Sequence, residues 1–248
     1  MSIWSNNNDP TSPFHIEGAE REGDFVVTCD HATNRVPEAF GPLGLPGEDM
    51  ARHIAWDVGA LGVARALGEL LGSPVVSSNF SRLVIDPNRG EDDPTLVMKL
   101  YDGTIIPGNR QAETQARLDA CYRPYDAALA SAFEYRPEAA LISIHSFTPQ
   151  LRGRAPRPWE IGILFADDDR LSLALIEALR EEGDLMIGVN EPYVGHLAGD
   201  AVDRHALRTG RQNTLIEVRN DLIATPEGQR KWAQFLAPKI QQALTSAS

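Results

Sequence analysis

Residues 25–34 read FVVTCDHATN and residues 140–147 read ALISIHSF. These two stretches decide the fold. In the first, Val26, Val27 and Thr28 run into Asp30-His31; in the second, Leu141, Ile142 and Ile144 run into His145-Ser146. Short, apolar, β-branched runs of this kind read as buried strands. Each run ends in a histidine. In open α/β sheets, reactive groups collect beyond the carboxyl ends of strands. Neutral imidazole is the commonest protein ligand for a metal, so two histidines in equivalent positions suit one shared ion. A lone loop histidine reads more simply, as one bonded to a nearby carbonyl. The pair points to a metal-dependent hydrolase.

Working outward, the strands alternate with helical patterns. Pro37, Gly41, Pro42, Gly44 and Pro46 make 30–46 a loop. Met50, Ile54, Val58, Leu61, Leu67 and Leu71 recur at helical spacing, with Glu48 and Asp49 in the first turn and Gly72 and Pro74 at the end. Val75-Val76 and Leu83-Val84-Ile85 read as strands, and 86–108 as a long loop. A helix is expected over 109–134, kinked or restarted at Pro124. Strands follow at 161–165, 185–189 and 214–218, with a helix over 170–181 and an irregular stretch over 190–212. Thr225 caps a last helix that has Pro226 at its first position. Strands alternating with helices imply an α/β layer fold with a largely parallel sheet. The polar first 22 residues read as an irregular arm, and 23–248 as a single domain.

Composition narrows the partners. The 248 residues carry 23 basic and 35 acidic side chains, a formal charge of -12. That argues against a nucleic-acid or anionic-membrane surface, though not against a small anionic substrate. Two distant cysteines, Cys29 and Cys121, make no disulfide framework. With no signal-peptide or membrane-spanning run, a cytoplasmic protein is expected. Oligomeric state is left open.

Several groups could carry chemistry. A catalytic zinc site wants a third protein ligand and an open position for water. His53 and Asp57 stand four residues apart on the expected helix, either as a solvated pair or facing the strand ends. Asp57 suits the third-ligand role, with Asp30 and Asn34 as rivals; spacing does not choose among them. Ser81-Arg82 through Asp86-Pro87-Asn88-Arg89 is an apolar strand entering a turn. Its arginines either lie on the surface or steady an oxyanion beside a metal. Arg152, Arg154 and Arg157 form either a solvated loop or a collar for an anionic substrate. Tyr193 and His205 lie in a stretch long enough to close over a site. Glu217 interrupts an apolar strand, which is costly without a job or a partner. It is a general base, or else an ion-pair partner of Arg219 or an outward-facing edge residue.

Taken together, CDHATNRVP, HIAWDVGA, SRLVIDPNR, ISIHSF, NEPY and LIEVRNDLI, in this order, resemble the N-formylglutamate amidohydrolase family. The resemblance runs from about Asp24 to Ile223. It implies a three-layer α/β fold of zinc-peptidase-like (phosphorylase/hydrolase-like) type, with a mixed, mostly parallel sheet flanked by helices. It implies zinc, or another divalent metal, held by His31 and His145, with Glu217 as the catalytic carboxylate. Asn88 and Arg89 match the Asn-Arg that contacts substrate and oxyanion in the related peptidases. Those peptidases place a glutamate three residues after the first histidine, where this chain has Asn34, so Asp57 is carried forward as third ligand. The expected reaction is hydrolysis of an N-acyl acidic amino acid such as N-formylglutamate. Arg89 or Arg82 would steady the oxyanion. Asn88, Arg152, Arg154, Arg157, Tyr193 and His205 would contact the substrate. A small-peptide carboxypeptidase, another deacylase, or a metal-free binding protein on the same fold are the alternatives.

Overall fold

In a computed structural model, which describes residues 4–195 and 197–247, seven strands form one mixed sheet. They are β1 (Phe14–Glu17), β2 (Phe25–Cys29), β3 (Val75–Ser78), β6 (Ala140–Phe147), β7 (Ile161–Leu164), β8 (Ile187–Val189) and β9 (Asn213–Arg219); a small hairpin, β4 (Leu100–Tyr101) and β5 (Thr104–Ile105), stands apart. The order across the sheet is β1-β3-β2-β6-β9-β7-β8. Its centre, β3-β2-β6-β9, is parallel. β1 joins β3 and β7 joins β9 in antiparallel fashion.

The apolar strands are apolar because both faces are covered, as parallel sheets require. Val27, Ile142, Ile144 and Ile216 pack toward α2 (Ala60–Leu70), α5 (Arg170–Arg180) and α7 (Pro226–Ser246). Val26, Leu141, Val76 and Leu215 pack on the opposite face, under α4 (Arg123–Tyr135), with Tyr125 and Leu129 in the same core. Thr225 caps α7 by accepting the Gly228 N–H. Cys29 and Cys121 are buried and free. Among the described residues no helix is long and apolar enough to cross a membrane.

Several expectations fail locally. The helix expected from Met50 is a short α1 (Gly47–Met50), irregular turns, and then α2. The Asp57 N–H donates to the carbonyl of His31 instead of closing a helical turn. Gly59 then takes a left-handed φ of +82°, and a Cβ there would meet the Ile223 carbonyl oxygen at 2.2 Å. Leu83-Val84-Ile85 is fully buried but not a strand: Asn109 and Arg117 side chains take the Leu83 and Val84 carbonyls that a ladder would use. The arm also carries structure. β1 buries Ile16 against the sheet, while residues 1–3 lie outside the described residues.

The expected long helix breaks where Pro124 stands. α3 (Thr114–Arg117) passes through a wide turn at Leu118–Tyr122 into α4, with Pro124 in the first turn, where its missing N–H is harmless. Within 190–212, read as irregular, α6 (Ala201–His205) forms under the Asp200 cap.

Candidate metal centre and active site

His31 follows the last residues of β2, and His145 stands near the end of the neighbouring β6. Their rings meet edge-on, centroids 4.9 Å apart. Each turns its Nδ1 toward the same atom, Oδ2 of Asp57, at 3.2 Å from His31 and 2.9 Å from His145. All three side chains are buried, and one ligand atom from each lies within 4.8 Å of the others. Such a group could hold a metal ion. Two imidazole nitrogens and a carboxylate oxygen are the donor set of a catalytic zinc site.

The second nitrogens are supported as ligand histidines usually are. Nε2 of His31 lies 2.7 Å from Oδ1 of Asp86, and Nε2 of His145 lies 3.2 Å from Oδ2 of Asp30. Tyr125 donates to Asp30, and Arg82 donates to Asp86 at 2.9 Å. Burial raises the pKa of Asp57, but the charge of His31 and hydrogen bonds from both histidines outweigh it and hold the carboxyl well below its usual range. Burial likewise works against Asp86, and Arg82 and His31 overcome it. Burial depresses the His145 pKa, while hydrogen bonds to Asp30 and Asp57 lift it well above the ordinary value.

Glu217 stands one sheet column away, on β9. It is the register partner of His145, so the two side chains rise on the same face. It is 6% exposed, and its Oε2 has no hydrogen-bond partner among the described residues. Burial lifts its pKa to about 7, against the pull of His145. A cavity of about 350 Å³ opens over these groups. Asn88, Arg89, Tyr101 and Tyr193 also line it. Arg89 donates to the Asn88 carbonyl and to Thr95 Oγ1, and makes no ion pair among the described residues. The Asn88 side chain accepts the Ala201 N–H. Arg82 is committed to Asp86 and Asp57, with its Nε unpartnered.

Several expected residues lie elsewhere. Asp30 supports His145 and is not one of the three grouped donors, and Asn34 donates to the Met50 carbonyl. Arg152 lines a neighbouring cavity and Arg154 is exposed. Neither lines the cavity over Glu217. Arg157 packs over Phe147 and Tyr193 and bonds the Thr148 carbonyl, so it props Tyr193 instead of facing a ligand. His205, on α6, is drawn to Asp126 of α4 at 2.6 Å and stays out of the cavity.

That last pair makes a separate prediction. Burial works against the Asp126 carboxylate, but His205 and Arg204 hold its pKa down to about 2 from 3.8. A depressed carboxyl contributes stability that is full above its unfolded pKa and is lost as pH falls through the folded one. Asp126→Asn should therefore lower the melting temperature near neutrality and have little effect at about pH 2. Thermal melts across acid pH would check this, and an equal loss at every pH would refute it.

Comparison with known proteins fits this geometry. A profile described as FGase, N-formylglutamate amidohydrolase, matches residues 23–224. The chain is similar in structure to the gene product Atu2144 of Agrobacterium tumefaciens, at 36% identity over 96% of each chain and a TM-score of 0.90. It shares its fold with an N-formylglutamate amidohydrolase from Ralstonia eutropha JMP134, at 23% identity over 95% of this chain and 97% of that one, with a TM-score of 0.68. No curated protein matches it.

Proposed function

This chain belongs to the N-formylglutamate amidohydrolase family, and from that premise we propose that it hydrolyses the amide of a small N-acyl amino acid, N-formylglutamate first among them. One observation carries the reading: two strand-end imidazoles converge on one carboxylate oxygen, beside a buried glutamate with an unpartnered oxygen. We assign His31, His145 and Asp57 as the ligands of a zinc ion. The chemistry such an ion supplies is Lewis acidity, toward water and toward the acyl carbonyl.

The rest is done by the chain. Glu217 takes a proton from water as the water oxygen bonds to the acyl carbon. The same carboxyl then gives that proton to the amide nitrogen as the C–N bond breaks. Formate and a free amino acid leave. A group with a pKa near neutrality is suited to both transfers. Arg89, which makes no ion pair among the described residues, is the donor for the developing oxyanion or the substrate carboxylate, with the unpartnered Arg82 Nε as a second. Asn88 holds the turn that carries Arg89 against α6. Tyr193 forms one wall.

The test is a panel of N-formyl and N-acetyl amino acids offered to purified, zinc-supplemented protein. Formate release from N-formylglutamate is expected, at a kcat/KM of about 10⁴ M⁻¹s⁻¹ or more. Acetate release without formate release would move the assignment to another deacylase. Release of neither, from protein shown to hold zinc, would remove the amidohydrolase reading.

A further inference from the structure

Arg204 has no part in that scheme and lines no part of the reaction cavity. It stands on α6 with a side chain only 15% exposed, and its charge is matched, since Nε donates to Oδ1 of Asp126 at 2.8 Å. Its other two nitrogens reach backbone. Nη2 donates to the Pro87 carbonyl at 3.1 Å, and Nη1 donates to the Arg89 carbonyl at 3.2 Å and to the Gly199 carbonyl. Tyr122, whose ring centroid lies 5.0 Å from the guanidinium carbon, donates its hydroxyl to the same Arg89 carbonyl at 2.6 Å.

These carbonyls belong to two segments far apart in sequence. One is the turn that carries Asn88 and Arg89 into the cavity wall, and the other leads into α6. Carbonyl oxygens that converge repel one another unless a donor stands between them, and a buried one left unpaired costs stability. A guanidinium, planar and with its donors in a fixed fork, can hold several at once. The two backbones also touch directly. Gly199 has a φ of +77°, and a Cβ there would meet the Gly90 Cα at 2.9 Å. Asn88 is held from the same side, its side chain accepting the Ala201 N–H. Arg89 itself bonds only the Asn88 carbonyl and the Thr95 hydroxyl. The backbone of the turn is thus tied down, while the charge it presents to the cavity is uncommitted.

We infer that Arg204 is the positioning residue for Arg89: by holding the Pro87 and Arg89 carbonyls against α6, it fixes where the Arg89 guanidinium stands in the cavity wall, and so sets the strength of the contact Arg89 makes with the substrate. This rests on the proposed function, and the experiment separates the two. The test is a double-mutant cycle. Arg204→Met keeps the apolar stem, removes the donors and leaves Asp126 bonded to His205. It should lower kcat/KM on N-formylglutamate about tenfold to a hundredfold, with zinc content unchanged. The loss should fall on whichever of kcat and KM Arg89→Met affects. Added to Arg89→Met, the same change should cost about twofold or less. A role confined to stability would lower both backgrounds by one factor. Arg204→Lys, which keeps a donor, should recover part of the loss.

A readout without turnover accompanies these. Where Arg89→Met weakens binding, calorimetric Kd values for N-formylglutamate on Glu217→Gln protein should show the same pattern across the cycle. Should Arg204→Met fail to fold, Tyr122→Phe still decides, because it removes the hydroxyl bond to the Arg89 carbonyl alone. A loss of about threefold to tenfold in kcat/KM, seen only with Arg89 present, is then expected. An equal factor with and without Arg89, or no loss in kcat/KM with Arg89 present, would overturn the inference and leave the amidohydrolase reading standing. So would an Arg89→Met variant as active as wild type. Neither turnover nor binding of N-formylglutamate by zinc-loaded wild type would overturn both.

Discussion

Glu217→Gln should lower kcat about a thousandfold, within the range of 10² to 10⁴ ascribed to positioned general acid–base groups. The substitution keeps volume and removes the carboxylate to which we assign the proton transfer. Zinc content should not change, because Glu217 is outside the grouped donors. The fold should hold as well, since a buried neutral amide replaces a carboxyl whose ionised form burial already disfavours. The pH profile gives an independent check. A base must be ionised to act, so wild-type activity should fall as pH drops through an acid limb. That limb should lie at about 7 or below, because a cation on the histidines lowers the pKa further. The glutamine variant should lose the limb along with the rate. Retained activity would remove Glu217 from the mechanism, whereas lost activity with lost zinc would make its role structural.

The second large effect concerns the ligands. His145→Ala should abolish stable zinc binding and bring turnover to background. Loss of a partner that merely supports a ligand costs 10- to 100-fold in metal affinity, and loss of the ligand itself should cost more. Stability should also fall, because the imidazole stands between Asp30 and Asp57 and its removal leaves two buried carboxylates without their shared partner. Breaking one side of a buried charged pair costs about 3–5 kcal/mol. Elemental analysis, thermal melts and turnover measure the three effects separately. Chelation of wild type should reproduce the loss of turnover, and zinc should restore it. A variant that keeps one zinc per chain would refute the assignment of His145.

The comparison of sequence with structure is uneven for physical reasons. His31, His145 and Glu217 were legible because each is polar at the end or in the middle of a buried apolar strand, where polarity is expensive. Asp57 was legible as a residue but not for the reason given. Helical spacing put His53 and Asp57 on one face of a helix, whereas a turn ending at Gly59 brings them together. The supporting role of Asp86 could not be read at all. It lies 55 residues from His31, and its Asp-Pro-Asn setting carries an ordinary turn signal. The arginines of 152–157 misled because charge in a loop says nothing about direction. β1 escaped notice because four residues of mixed polarity carry too short a period to register.

His31, His145 and Glu217 come from one end of three adjoining strands, β2, β6 and β9, and Asp57 joins them from the turn before α2. Their spacing is that of a backbone lattice, about 4.8 Å from strand to strand. The rest of the cavity wall comes from connections, with Asn88 and Arg89 on one and Pro192, Tyr193 and Leu197 on another. Inheritance can therefore treat the two separately. A lineage could redraft those connections and reshape the cavity, while the strand-end side chains are passed on intact beneath.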